Sequence, residues 1–137
     1  MVGIIIVTHG KMALGMLESM QMIAGEQDQV AVVGLEEDKS PEDLSDIIKD
    51  ALLKVDNGSG VLIMVDLFGA TPFNVSARLY LESNHQIEVI TGVNLPMLLE
   101  TVISRAGNDL KSVYDMALQA GVSGIKSLPD NLKKNLN

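Results

Sequence analysis

The chain is 137 residues long, 47% hydrophobic and 20% charged, with a formal net charge of −8. That length suits a single domain with one full core, while zero cysteines and only two histidines, His9 and His85, exclude a disulfide framework, a thiolate metal site and a multi-histidine zinc site. The acidic balance disfavours nucleic acid and anionic membrane as partners, and 3% aromatic content without tryptophan removes the stacking platforms of single-strand binders.

A nearly continuous apolar run at 2–7 reads as a strand buried on both faces. Ala13, Met16, Leu17, Met20, Ile23 and Ala24 then recur at helical spacing. A second strand follows at 30–35, and Ser40-Pro41-Glu42-Asp43 supplies a capping hydroxyl, a first-turn proline and first-turn acids for a second helix facing inward through Leu44, Ile47, Ile48, Ala51 and Leu52. A third strand at 60–65 precedes Thr71-Pro72, which repeats the helix-start signal; Phe73, Ala77, Tyr80 and Leu81 give that helix an apolar face. The fourth strand is expected at 86–91, and Asn94 is placed to cap a short helix over 96–103. A fifth helix with Val113, Met116, Ala117 and Ala120 on its stripe is expected to stop at Gly121. The apolar stretch 122–128 reads as an edge strand and 129–137 as a polar, frayed end, giving one domain over 1–130 and a tail over 131–137.

Strands alternating with helices imply parallel pairing through right-handed crossovers, hence a doubly wound α/β sheet with helices on both faces. No apolar stretch approaches the ~18 residues of a spanning helix, and no basic leader precedes the first strand, so a cytoplasmic protein with no direct membrane insertion is expected.

Ligands of such sheets bind outside the carboxyl ends of the strands, where strand order reverses. His9 follows the first strand in "VTHGKM", and Asp66 follows the third in "VLIMVDLFGATPFN". In the common 2-1-3-4 order these strands are neighbours, so the imidazole and the carboxylate fall within reach of one another. A carboxylate on one ring nitrogen selects the tautomer, orients the ring and stabilises charge as the other nitrogen attacks an electrophile. For a phosphoryl electrophile, the start of the third helix offers the Thr71 hydroxyl and backbone N–H groups around Gly69, Ala70, Phe73 and Asn74, aided by the helix dipole. Taken singly, a strand-end histidine, an aspartate after a strand and a Thr-Pro helix start are all ordinary structural features. His85, in a polar turn on the amino side of the sheet, receives no catalytic role. No P-loop, dinucleotide-binding turn or nucleophile elbow occurs, and neither a metal nor another cofactor is expected.

The segments "IVTHG" at 6–10, "GVLIMVDLFGATPFNVSAR" at 60–78 and "VITGVNLPMLLE" at 89–100 resemble, in order and spacing, the IIA component of the mannose family of the bacterial phosphoenolpyruvate-dependent sugar phosphotransferase system. The resemblance implies a phosphoryl-transfer relay. A phosphotransferase of this kind takes a phosphoryl group from the phosphorylated histidine carrier HPr, onto His9 through Nε2 with Asp66 on Nδ1, and passes it to a IIB subunit that serves the membrane IIC/IID complex. Thr71 matches a family position near the phosphoryl oxygens. It also implies a homodimer in which a last, antiparallel strand is exchanged, matching the isolated stretch near the C-terminus. Ala70 stands where many relatives have glycine, and no IIB domain follows, so a free-standing IIA protein is expected. The alternatives are a regulatory module sensed in its phosphorylated state, or a phosphoryl donor to dihydroxyacetone kinase.

Overall fold

The computed structural model describes the backbone of residues 1–136 and the side-chain surroundings of residues 1–132. Four strands, β1 (Gly3–His9), β2 (Val30–Leu35), β3 (Val61–Val65) and β4 (Ile87–Thr91), alternate with α1 (Met12–Ala24), α2 (Pro41–Val55), α3 (Thr71–Glu82) and α4 (Leu95–Ser104), followed by α5 (Leu110–Ser123) and α6 (Leu128–Leu136). The strands form a parallel sheet in the order β2-β1-β3-β4, as the alternation predicts.

Because side chains alternate across a strand, the apolar runs feed two cores. Ile4 and Ile6 of β1 and Leu62 and Met64 of β3 pack with Ala13 and Met20 of α1, Met97 and Leu98 of α4 and Ala117 of α5. Ile5, Val7, Ile63 and Val65 point the other way, onto Leu44, Ile48 and Leu52 of α2 and Val75 and Leu79 of α3. Fully buried side chains of this size contribute about 1.5–3 kcal/mol each, and β1 supplies both cores from its alternate positions. The expected second-helix start is realised as a capping box, with the Ser40 hydroxyl accepting from Asp43 N and the Asp43 carboxylate accepting from Ser40 N.

Several expectations need correction. The buried face of α3 is Pro72, Val75, Ser76 and Leu79, while Tyr80 and Leu81 are 51% and 79% exposed. The inward stripe admits a small serine where helix meets sheet, and hydrophobicity alone passes over it. Ile23 and Ile47, expected on inward stripes, are likewise exposed.

Gly121 does not end α5 but lies buried inside it, where a Cβ would come within 2.7 Å of the Met97 methyl carbon. Close helix approach, not a left-handed cap, favours glycine there, since an added Cβ would push the Met97 methyl aside and crowd its Cβ at 3.3 Å. Asn94 fixes the contact, accepting from Met97 N at 3.0 Å and donating through Nδ2 to Gly121 O at 2.9 Å.

Residues 122–128 form no antiparallel edge strand among the described residues. Helical bonding carries α5 through Ser123, Gly124 N closes on Ala120 O, and Ile125 and Leu128 stand 82% and 70% exposed. The backbone amides assigned to a strand start are thus already spent in helix. Of the tail expected at 131–137, the backbone up to Leu136 belongs to α6, while the side chains of 133–136 and all of residue 137 lie outside the described residues.

Candidate active site

Parallel pairing of β1 with β3 sets Val7 opposite Val65, so the residues that leave these strands, His9 and Asp66, emerge side by side at the carboxyl edge. One carboxylate oxygen, Asp66 Oδ2, accepts from His9 backbone N at 2.9 Å and lies 2.8 Å from His9 Nδ1. The Asp66 side chain is only 12% exposed, whereas the His9 side chain is 52% exposed. Burial pushes the Asp66 carboxyl up, but the backbone N–H and the ring of His9 outweigh it and hold the group below the ordinary aspartate value. An ionised carboxylate accepts and cannot donate, so the shared proton belongs on Nδ1 and the lone pair on Nε2, at the opposite edge of a half-exposed ring.

Beside the pair, the 66–70 segment turns through Gly69, whose φ of +82° is a left-handed conformation that glycine alone adopts without strain. It enters α3 one residue earlier than Thr71-Pro72 suggests. Ala70 is the cap residue, Thr71 the first helical residue and Pro72 the second. Ala70 has φ −86° and ψ 176°, a region open to any residue, so the backbone here does not require glycine. Since no side chain caps α3, the Thr71 hydroxyl is not consumed at the helix start. Thr71 and His9 line one open cleft of about 970 Å³, together with Lys11, Leu14, Leu35 and Lys39.

One of the expected phosphoryl donors, Asn74, behaves differently. The Asn74 N–H is taken by Ala70 O at 2.9 Å, and its side-chain amide donates to Gly69 O at 3.3 Å. Asn74 therefore steadies the turn and leaves anion contacts to the N–H groups that precede it. Phe73 is half-buried and packs its ring on Phe68, centroids 4.6 Å apart, which leaves Leu67 and Phe68 exposed beside the pair. Among the described residues no group of three or more histidines, aspartates or glutamates is placed to hold a metal ion, and no helix is long and apolar enough to cross a membrane.

Two polar clusters at the opposite, amino edge escaped the sequence reading. His85 Nδ1 lies 2.6 Å from Asp56 Oδ2, while Asp56 Oδ1 accepts from Gly58 N and Gly60 N. Arg105, fully buried, donates to the carbonyl oxygens of Val2, Asp28 and Gln29. The D-x-G-x-G pattern at 56–60 was the available signal for the first, and nothing local announces the second.

The chain is similar to known proteins over most of its length. Residues 3–118 match the family model described as PTS system fructose IIA component. The chain is 35% identical over 128 residues to the PTS system mannose-specific EIIAB component of Escherichia coli (strain K12), covering 93% of this chain and 39% of that protein, so it spans about two fifths of that relative's length. Its structure matches a crystal structure of phosphotransferase system component EIIA from Streptococcus agalactiae with a TM-score of 0.88 and 32% identity, over 95% of this chain and 99% of that one. A mannose/sorbose-specific IIA subunit from Enterococcus faecalis matches with a TM-score of 0.84 and 28% identity, over 93% and 94% of the two chains. The chain belongs to the mannose family of IIA components of the phosphoenolpyruvate-dependent sugar phosphotransferase system.

Proposed function

We propose that the protein is a phosphoryl relay of sugar uptake that accepts a phosphoryl group from phospho-HPr on His9 Nε2 and donates it to a IIB subunit. The observation that supports this reading above all others is the double use of Asp66 Oδ2, which engages both the backbone N–H and the Nδ1 of His9 and leaves Nε2 free on an exposed ring edge.

In the accepting step the phosphorus–nitrogen bond to the donor histidine breaks as a bond forms from the His9 Nε2 lone pair. The donor ring leaves with its electron pair. His9 keeps its Nδ1 proton, and the positive charge spreading over the ring is balanced by the Asp66 carboxylate. The phosphoryl oxygens take N–H donors of the 69–73 segment and the Thr71 hydroxyl at the positive end of α3. Onward transfer is the same step reversed, with the IIB histidine as nucleophile. The phosphorylated form carries roughly 1.5–2 additional negative charges on a chain already at −8, so partner surfaces are basic around their own histidines. Contact with the membrane IIC/IID complex is indirect, through IIB, and the site of action is the cytoplasm. A second copy of the chain covers the exposed apolar residues Leu118, Val122, Ile125 and Leu128, making a homodimer whose mass sedimentation velocity would report.

Incubation with phosphoenolpyruvate, enzyme I and HPr tests the relay. It is expected to yield an acid-labile phosphoryl adduct that disappears in His9→Ala and passes to added IIB. An adduct that survives His9→Ala, or no adduct on the wild type, contradicts the proposal. A stable adduct that no IIB accepts points instead to a sensing module.

A further inference from the structure

We infer that Thr8, a residue that touches no reacting atom, is a positioning residue for His9. The inference rests on the relay reading of the His9 site for its consequence, though not for its geometry.

Thr8 is the penultimate residue of β1 and is fully buried. By strand alternation it faces the same side as Ile4 and Ile6, the side on which α1 packs. Its hydroxyl oxygen accepts from Ala13 N at 2.8 Å, and the hydroxyl lies 3.2 Å from the His9 carbonyl, to which it donates. Ala13 belongs to the first turn of α1, where backbone N–H groups lack helical acceptors. The residue that formally caps this helix, Lys11, has φ −97° and ψ 9° and makes no side-chain capping bond. The capping oxygen is therefore supplied from outside the helix, by the strand that delivers the nucleophile.

This arrangement closes the turn from His9 to Met12 from both ends. Thr8 ties its beginning to the first turn of α1, and Gly10 N donates to Leu35 O at 2.9 Å, strapping the middle to β2. With the turn held, His9 N is aimed at Asp66 Oδ2 at 2.9 Å and the ring is brought to 2.8 Å from the same oxygen. Without the hydroxyl, Ala13 N becomes a buried donor with no acceptor, and the turn shifts to find one. The ring then drifts relative to a carboxylate carried by a different strand. Displacements of about 1 Å at a reacting centre cost up to ~100-fold in rate.

The test compares wild type, Thr8→Val and Thr8→Ser. Valine keeps the shape of threonine without its donor or acceptor, whereas serine keeps both. Two quantities are read: the first-order rate of phosphoryl transfer from a phosphorylated histidine carrier at saturating concentration, and long-range proton–nitrogen NMR spectra of the His9 ring in the unphosphorylated proteins. Thr8→Val is expected to transfer about 10-fold to 100-fold more slowly with KM within about twofold, and its His9 ring to show a larger share of the Nε2–H tautomer. Thr8→Ser is expected to stay within about twofold of wild type in both readouts.

Wild-type rate and ring spectrum in Thr8→Val overturn the inference. So does a Thr8→Ser protein as slow as Thr8→Val, because the hydroxyl is then not the cause. If Thr8→Val does not fold, Thr8→Ala against Thr8→Ser carries the same contrast. A wild type that accepts no phosphoryl group contradicts the relay reading alone, and the ring spectra still decide the role of Thr8.

Discussion

Asp66 Oδ2 holds His9 twice, through the backbone N–H at 2.9 Å and through Nδ1 at 2.8 Å, so one oxygen sets both where the residue sits and which ring nitrogen carries the proton. The two residues are 57 positions apart in sequence and meet only because β1 and β3 are adjacent.

Because one atom makes both contacts, Asp66→Asn alters both together. An amide oxygen in the Oδ2 place still accepts from His9 N and Nδ1 but lacks the charge that stabilises the attacking ring, whereas an amide nitrogen there loses the acceptor for His9 N and donates to the ring, which favours a proton on Nε2 and removes the attacking lone pair. We predict phosphoryl transfer slowed by about 100-fold with the fold retained. The loss falls short of the ~10⁴ seen when a hydrolase triad aspartate is changed in this way, because water reaches the half-exposed His9 ring. Stopped-flow transfer measurements beside circular dichroism check this, and equal rates in variant and wild type would remove Asp66 from the mechanism.

Acid stability follows from the same carboxylates. Asp66 and Asp56 are held below the ordinary 3.8 in the folded protein, in each case because hydrogen bonds, those to His9 or to His85, Gly58 and Gly60, outweigh the upward push of burial. A depressed folded pKa means that the unfolded chain binds more protons, so the stability from these groups is complete above the unfolded value and is lost as pH falls through the folded one. The melting-temperature gap between wild type and Asp56→Asn is expected to shrink as pH falls below about 4. A gap that widens below about pH 4 would reverse the sign and contradict the assignment.

His85 has a structural job at the amino edge. Its ring and the Gly58 and Gly60 amides share a carboxylate that is 10% exposed, tying the turn before β3 to the turn before β4. His85→Ala is expected to lower unfolding free energy by about 1–2 kcal/mol while phosphoryl transfer stays within about twofold of wild type. A large loss of transfer in a protein that remains folded would give His85 a part in the chemistry.

Arg105 anchors the same edge more deeply. Its guanidinium is desolvated, which lowers its pKa against the opposing pull of Asp28, and is compensated by carbonyl oxygens from three separate residues. Arg105→Met matches the aliphatic stem but leaves those oxygens without a donor. The cost is expected to be about 3 kcal/mol or more in urea denaturation. A change under about 1 kcal/mol would mean that water replaces the guanidinium freely.

The sheet was legible because strands buried on both faces read as unbroken apolar runs, and strand alternation left only one economical topology for them. His9 and Asp66 were legible for the same reason, since strand adjacency places residues that leave β1 and β3 together. What remained hidden depended on contacts between distant positions. Arg105 meets Val2 across 103 residues, and Gly121 is fixed by Met97 and Asn94 rather than by its own neighbours. The faces of α3 misled because Tyr80 and Leu81 are apolar yet exposed, while Ser76 is polar yet buried. The fate of Asn74 N turned on a cap shifted by one residue, finer than helix-start signals resolve.

The central claim is that the phosphoryl group resides on the ring edge that Asp66 leaves open. Nitrogen-15 NMR of the protein phosphorylated through phosphoenolpyruvate, enzyme I and HPr measures this directly, from the phosphorus coupling to each imidazole nitrogen. Coupling to His9 Nε2, with Nδ1 still protonated, is the expected result. Phosphorus on Nδ1, or on His85, would contradict the account.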